Sequence, residues 1–458
     1  MGMSLPDIFI VGLYFLGLLG LGFSKTRASK RQDHQGYLLA GRKLSFPGFV
    51  ASLVATWYGG VLGIGENIYL YGLQTWIIFG IPYYFFALLF ALFFAGRINA
   101  SKTISLPDHF YKRYGKSAGV LSAIYIFILS SPAPYILSLG FLIQYFSGLP
   151  YEISLLTVSI ISVSYLWKGG FTAVVRTDYL QFSLMFLGFG LLLFYSYLHS
   201  NNPEIAISSL PNEFFDLTGG ASLQYILAWF FIALWTFVDP GFYQRCSAAD
   251  SKKTARKGIL VSILFWMMFD GLTFLTGMYA KLLITDAKPA LAYIQLAELV
   301  MPSMAMGLFI VAILSVIMST IDSYTFISAS TFGRDILWRV QVNSDKKTFN
   351  ENHAIPLVKK GLLVSVLISL MLALSMPSVV EIWYTLGSVI VPGLLVPFIF
   401  SFFKKDLNVF TMMVSPVFVS ILWIIIKNIY GYYPFNIEPF YPGIITSIIY
   451  GIFQWLRK

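Results

Sequence analysis

The sequence is poor in charge and nearly devoid of cysteine. Charged residues fill 11% of its 458 positions, where a soluble domain carries about 25%. No polar stretch is long enough to build a separate soluble domain. One cysteine, Cys246, excludes an intramolecular disulfide framework and a cysteine-based metal centre. The four histidines, His34, His109, His199 and His353, are scattered without metal-ligand spacing and suit surface or juxtamembrane roles. The stretch from Met1 to Ser24 lacks the basic start and small-residue cleavage site of a signal peptide, so it reads as a retained spanning helix. Gly2 is followed by Met-Ser-Leu-Pro, without the hydroxyl residue that N-myristoylation wants.

What is abundant is apolar. Hydrophobic residues make up 57% and aromatic residues 17% of the chain, with a mean hydropathy of +0.74. Runs of about twenty apolar residues, enough to cross a ~30 Å hydrocarbon core, recur from end to end. They predict an all-α membrane protein with thirteen spans, near 4–24, 46–71, 74–96, 118–147, 152–167, 173–198, 222–244, 256–283, 303–336, 358–376, 379–402, 408–428 and 440–456. With the N-terminus outside and the C-terminus cytoplasmic, 28 of the 31 basic residues fall on the inner side, leaving Lys281, Lys288 and Lys427 outside. This distribution explains the net charge of +10 through attraction to anionic inner-leaflet lipids. No nucleic-acid role is needed. The expected setting is a plasma membrane, the inner membrane of a prokaryote.

Several segments carry a pattern. Gly169-Gly170-Phe171-Thr172-Ala173-Val174-Val175-Arg176-Thr177-Asp178-Tyr179-Leu180-Gln181 resembles the G-G-x-x-A-V-x-x-T-D-x-x-Q signature of the sodium/solute symporter family. Ala55-Thr56-Trp57-Tyr58-Gly59-Gly60 is similar to that family's first core helix. Gln244-Arg245 with Ala248-Ala249-Asp250 and Lys253 resembles the segment after its sixth, and Ile317-Met318-Ser319-Thr320-Ile321-Asp322-Ser323 resembles its eighth. The resemblance implies a leucine-transporter-type core of two inverted five-helix repeats, with one extra helix before it and two after. The expected divisions are a leading helix and loop at 1–45, a first repeat at 46–198, an external loop at 199–221, a second repeat at 222–402 and two C-terminal helices at 403–458. Topology agrees, because two consecutive five-helix units must cross in opposite senses.

The same resemblance implies a sodium site with backbone carbonyls from Ala55, Tyr58 and Val316 and hydroxyls from Ser319 and Thr320. Neutral oxygens suit a hard cation, and an unwound helix frees its carbonyls. The alternative is that both hydroxyls bond back to carbonyls one turn earlier. Intramembrane acids are functional candidates by their cost. Asp178 suits a cation path or a helix-end pair with Arg176 or another basic neighbour. Asp322 suits tuning of the cation site, proton entry, or a structural hydrogen bond. Glu66 and Asp270 suit an amino or cationic group of the solute, or neutral donors. Asp239-Pro240-Gly241 interrupts the seventh span, with unwinding expected to begin near Trp235. Gly59 and Gly60 interrupt the second. Trp235 corresponds to an inner gate in the resemblance, and Trp57 to a cavity wall or simple packing. Two prolines, Pro132 and Pro134, kink the fourth span.

The expectation is therefore a sodium-coupled carrier of a small organic solute, working by alternating access, with no cofactor and no metal beyond sodium. Proton coupling and a non-transporting solute sensor remain the alternatives. Membrane lipids are partners, and neither the substrate nor the oligomeric state follows from the sequence. A membrane enzyme would need a nucleophile–base pair or metal ligands at the bilayer face, and a channel a repeated filter loop. Neither pattern is found.

Overall fold

The computed structural model describes residues 3–23, 34–200, 210–341, 351–376, 378–403 and 408–456. Helices make up nearly all of it, and no strand is present among the described residues. The principal helices are α1 (Leu5–Phe23), α2 (Phe46–Trp57), α3 (Val61–Tyr71), α4 (Gln74–Ser101, with local irregularities), α5 (Lys116–Leu129), α6 (Ala133–Ser147) and α7 (Tyr151–His199). They continue with α8 (Leu223–Ile232), α9 (Trp235–Val238), α10 (Pro240–Ala248), α11 (Lys252–Leu283), α12 (Ala305–Ser330), α13 (Ala354–Ser375), α14 (Val379–Phe400), α15 (Val409–Tyr430) and α16 (Phe440–Leu456).

Ten helices among the described residues are long and apolar enough to cross a membrane, or eleven when α2 and α3 count as one span bent by 55°. Two of the thirteen expected spans lie outside that count. The one expected at 152–167 is continuous with the next in α7, divided only by Gly170 at φ 57°. A side chain there would collide with the Tyr37 carbonyl at 2.5 Å, so only glycine fits. The last, α16, has seventeen residues. The basic residues Lys25, Arg27, Lys30, Arg31, Lys346, Lys347, Lys404, Lys405, Arg457 and Lys458, used above for orientation, lie outside the described residues.

At the centre stands α12. In its span 94% of the residues are buried, against 22% for α1. It packs on α7, α2, α1 and α13. The N-terminal end of α12 is held by Asp7 of α1, whose Oδ1 accepts the Met304 and Gly307 amides at 2.9 Å each. A carboxylate at a helix N-terminus satisfies orphan N–H groups and complements the dipole.

Breaks in helices are concentrated around one region. α2 ends at Trp57 and α3 begins at Val61, with Tyr58–Gly60 forming a turn closed by the Val61 amide on the Tyr58 carbonyl at 2.8 Å. The seventh expected span is interrupted twice, at Ala233–Leu234 and again at Asp239. Unwinding thus begins two residues before Trp235. α5 and α6 are separated at Ser130–Pro132, where Pro132 and Pro134 cannot donate the helical bonds.

Candidate cation and solute site

Thr320 sits against the break in the first core helix. A Cβ on Gly59 would lie 2.4 Å from the Thr320 Cβ, so glycine is what lets α2 and α12 approach. The Thr320 hydroxyl donates to the Thr56 carbonyl at 2.8 Å, and also reaches the Val316 carbonyl at 3.1 Å. One contact is the back-bond inside α12 and the other crosses to α2. Ser319 makes no back-bond; its hydroxyl donates to Asp178 Oδ1 at 2.6 Å. Each hydroxyl oxygen keeps at least one lone pair for a cation, with Ser319 Oγ also 3.4 Å from Thr56 Oγ1. Ala55, Val316, Ser319 and Thr320 are fully buried, and Tyr58 is nearly so.

Beside these hydroxyls lies a buried ionic centre whose hub the sequence did not single out. Arg245, expected in a basic cytoplasmic loop, is fully buried. Its Nε donates to Ser52 Oγ at 3.0 Å, and Nη2 donates to Thr56 Oγ1 at 2.7 Å and Ser323 Oγ at 2.9 Å. Nη1 reaches the Gly241 carbonyl at 3.3 Å. Ser52 relays the contact by donating to Asp178 Oδ2 at 2.5 Å, and Arg245 stands 3.9 Å from that same oxygen. The basic partner of Asp178 is therefore Arg245 and not its sequence neighbour Arg176. Both carboxylate oxygens are met by hydroxyls. A buried pair keeps its charges only when its remaining donors and acceptors are satisfied in this way. The signal available in the sequence was an arginine at the end of an apolar span facing an acid at the end of another.

A cavity of about 860 Å³, part of it open to the surface, lies on the other side of the α2–α3 break. Trp57, Tyr58, Gly60, Trp235, Asp239 and Asp270 line it, as do Trp76, Phe79, Tyr83, Tyr135, Tyr324 and Trp383, which sequence reasoning did not select. Their abundance hid them, since aromatic residues belong equally to lipid-facing belts. Trp383 rests on the break itself: a Cβ on Gly60 would lie 2.0 Å from its ring. Trp57 packs on Tyr83, Phe242 and Trp266 with ring centroids 5.1–5.5 Å apart. Asp239 Oδ1 caps α10 through the Phe242 amide at 2.9 Å, while Oδ2 accepts the Tyr324 hydroxyl at 2.7 Å. Asp270 accepts the Tyr84 hydroxyl.

Two residues expected at the cavity, Gly59 and Glu66, are not part of this wall, and Asp322, expected on the cation path, is not part of it either. Gly59 faces Thr320. Glu66 is half-buried further along α3, and Asp322 is fully buried in α12; neither lines the cavity. Among the described residues no group of three or more His, Cys, Asp or Glu side chains could hold a metal ion.

The model of the sodium:solute symporter family matches residues 37–415. The chain belongs to the sodium:solute symporter family. It is a multi-pass membrane transporter, a sodium-coupled symporter and not an enzyme. Over 98% of its length it is 26% identical to the osmoregulated proline transporter OpuE of Bacillus subtilis, of which the match covers 94%. It is 27% identical to a sodium/proline symporter of Haemophilus influenzae over 72% of this chain and 69% of that one. Its fold matches the solved structure of a Na+-coupled sialic acid symporter with a TM-score of 0.80, at 17% identity, across 99% of this chain and 97% of that one. The nucleobase-cation-symport transporter Mhp1, in a closed conformation, matches with a TM-score of 0.57 at 11% identity over 92% and 94%.

Proposed function

We propose that this sodium:solute symporter carries a small organic solute into the cell by alternating access, coupled to sodium bound by the Ala55, Tyr58 and Val316 carbonyls and the Ser319 and Thr320 hydroxyls. The observation that carries the reading is the contact of Gly59 with Thr320, which joins the break in α2–α3 to α12. Sodium held across that contact ties together two elements that must separate for the ion to leave. The solute cavity borders the same break on its other side, with Gly60, Tyr58 and Trp57 in its wall. Either occupant thus favours the geometry that the other needs, which is a coupling free energy between sites.

The membrane arrangement we infer has thirteen spans, an external N-terminus and a cytoplasmic C-terminus, in a plasma membrane. Its inverted repeats comprise 46–198 and 222–402, flanked by 1–45 and 403–458 and joined by an external loop at 199–221. In support, the first helix of each proposed repeat is interrupted, at Tyr58–Gly60 and at Ala233–Leu234 with Asp239. Broken helices in corresponding positions are how inverted-repeat transporters build a midplane site. Asp178 and Asp322 border the route the cation takes, and Trp235 closes the solute cavity from below.

Uptake by proteoliposomes tests the reading. A solute that accumulates under an inward sodium gradient, and not under an inward potassium or proton gradient, supports it. Accumulation driven by a proton gradient without sodium replaces the coupling ion. Specific binding with no accumulation under any gradient makes the protein a sensor.

A further inference from the structure

The solute cavity has charge of one sign. Two aspartates line it, with no lysine, arginine or histidine. The hydrogen-bond partners of Asp239 and Asp270 are neutral, the Phe242 amide and the hydroxyls of Tyr324 and Tyr84, although Asp239 also feels the charge of Arg245. Among the described residues neither carboxylate makes an ion pair within 4.0 Å. The guanidinium deeper in the protein, Arg245, is taken up by Asp178 and three hydroxyls. Asp178, Asp239 and Asp270 thus outnumber the one arginine buried among them.

Two features argue against a solute carboxylate. Transporters with broken helices meet anionic groups with the N-termini of their half-helices. In this chain the starts of α10 and α3, the two that follow the breaks at Asp239 and at Tyr58–Gly60, are covered. The start of α10 is capped by the chain's own carboxylate, Asp239. At the start of α3 the Trp383 indole lies directly on Gly60. What the cavity offers instead is ring faces and edges. Tyr135 lies 5.5 Å from Tyr324 and 6.3 Å from Trp383 between ring centroids, and Phe79 lies 6.1 Å from Trp383. Aromatic walls with carboxylates behind them bind organic cations through ring quadrupoles and long-range charge.

We propose that the transported solute is a small organic cation lacking a carboxylate, a methylated ammonium or protonated amine, seated among Trp57, Tyr83, Tyr135 and Trp383 with its charge toward Asp270 and Asp239. This rests on the reading of the cavity as the solute site of a sodium symporter. It departs from a zwitterionic amino acid, whose carboxylate finds no partner here. Tyr84 and Tyr324 aim the two carboxylates, and the rings exclude water from the charge. Asp270 is the principal charge partner, because Asp239 is already engaged as a helix cap.

The test uses the full-length protein in phosphate buffer, since amine buffers are themselves candidate ligands. Thermal stability and competition binding are measured with choline, tetramethylammonium, 1,4-diaminobutane, trimethylglycine, proline, and the neutral tert-butyl analogue of choline. At least one carboxylate-free cation stabilises the protein, more strongly in sodium than in potassium, and the neutral analogue does not. Asp270→Asn weakens that cation by about tenfold or more, as expected when a charged partner is lost. Asp239→Asn retains an N-cap, so it serves as the variant that folds if Asp270→Asn does not. Binding of proline or trimethylglycine but none of the cations overturns the inference, as does equal binding of choline and its neutral analogue. So does the absence of any ligand among the three cations. A cation that binds specifically but is not accumulated under a sodium gradient leaves the site chemistry standing and refutes the symport reading instead.

Discussion

Removing the Arg245 side chain is the perturbation that most directly probes the buried centre. Arg245→Ala leaves Asp178 with its Ser52 and Ser319 hydroxyl bonds but without a cation, in a site from which water is excluded. Breaking a buried pair from one side costs about 3–5 kcal/mol. Asp178→Asn strands the guanidinium in the same way, although the three hydroxyl partners of Arg245 persist. The double variant Asp178→Asn with Arg245→Ala strands neither charge, so its loss falls short of the summed single losses by about 2 kcal/mol or more. The protein supplies its own probe. Cys246 is the one cysteine of the chain and is fully buried in α10, so a thiol-reactive fluorophore brightens only as the core opens. Heating in detergent should give midpoints ordered wild type, then double variant, then Arg245→Ala. A double variant that melts at or below the additive expectation refutes the claim that the two residues act as an ion pair.

Three further outcomes are expected. Ser319→Ala and Thr320→Ala each raise the sodium concentration for half-maximal uptake by about tenfold, the effect of losing one oxygen partner, and unchanged sodium activation in both removes the proposed cation site. Gly60→Ala forces the Trp383 ring off the break and abolishes uptake at an overpacking cost of about 1–3 kcal/mol; Trp383→Phe in the same chain restores part of it, and no rescue means the contact is not the cause. His109, outside the spans, stacks on Phe402 at 5.3 Å and bonds Ser401 at 2.7 Å, and burial holds its pKa down at about 4, against an ordinary 6.5. The folded state therefore prefers the neutral ring. That stability is fully present above pH 6.5 and is lost as pH falls toward about 4, an effect of about 2 kcal/mol after allowing for the ring's partial exposure. The melting midpoint should drop across that window and drop less in His109→Gln.

Much of this architecture was legible because each span must satisfy its backbone internally and show apolar side chains to lipid. That constraint marks α1, α11, α13 and α15 in the sequence almost without ambiguity. The breaks at Gly59-Gly60, Pro132-Pro134 and Asp239-Pro240 were legible for the same reason, since each residue type obstructs a continuous helix. What resisted reading was the pairing between distant elements. Arg245 stands among the basic residues that follow a span, and only the fold turns it inward against Asp178. Trp383 and Tyr83 are two rings among many, and nothing in their local sequence separates a cavity wall from a lipid belt. Asp239 was recognised as a break but not as the cap of the helix it begins, which requires its side chain to turn back onto the Phe242 amide.

The burial of α12 bears on how the protein is made. A helix with no lipid face, carrying Ser315, Ser319, Thr320, Ser323, Thr325 and Ser328 fully out of contact with solvent, has no comfortable resting place in bare bilayer. It can settle only into a slot that other helices have already formed. Three of its four main neighbours, α1, α2 and α7, precede it in the chain, so they leave the ribosome first and await its arrival. Only α13 comes after, to close the slot. Order of synthesis and order of assembly thus coincide, and the backbone amides of α12 should be the last in the finished protein to exchange with deuterium.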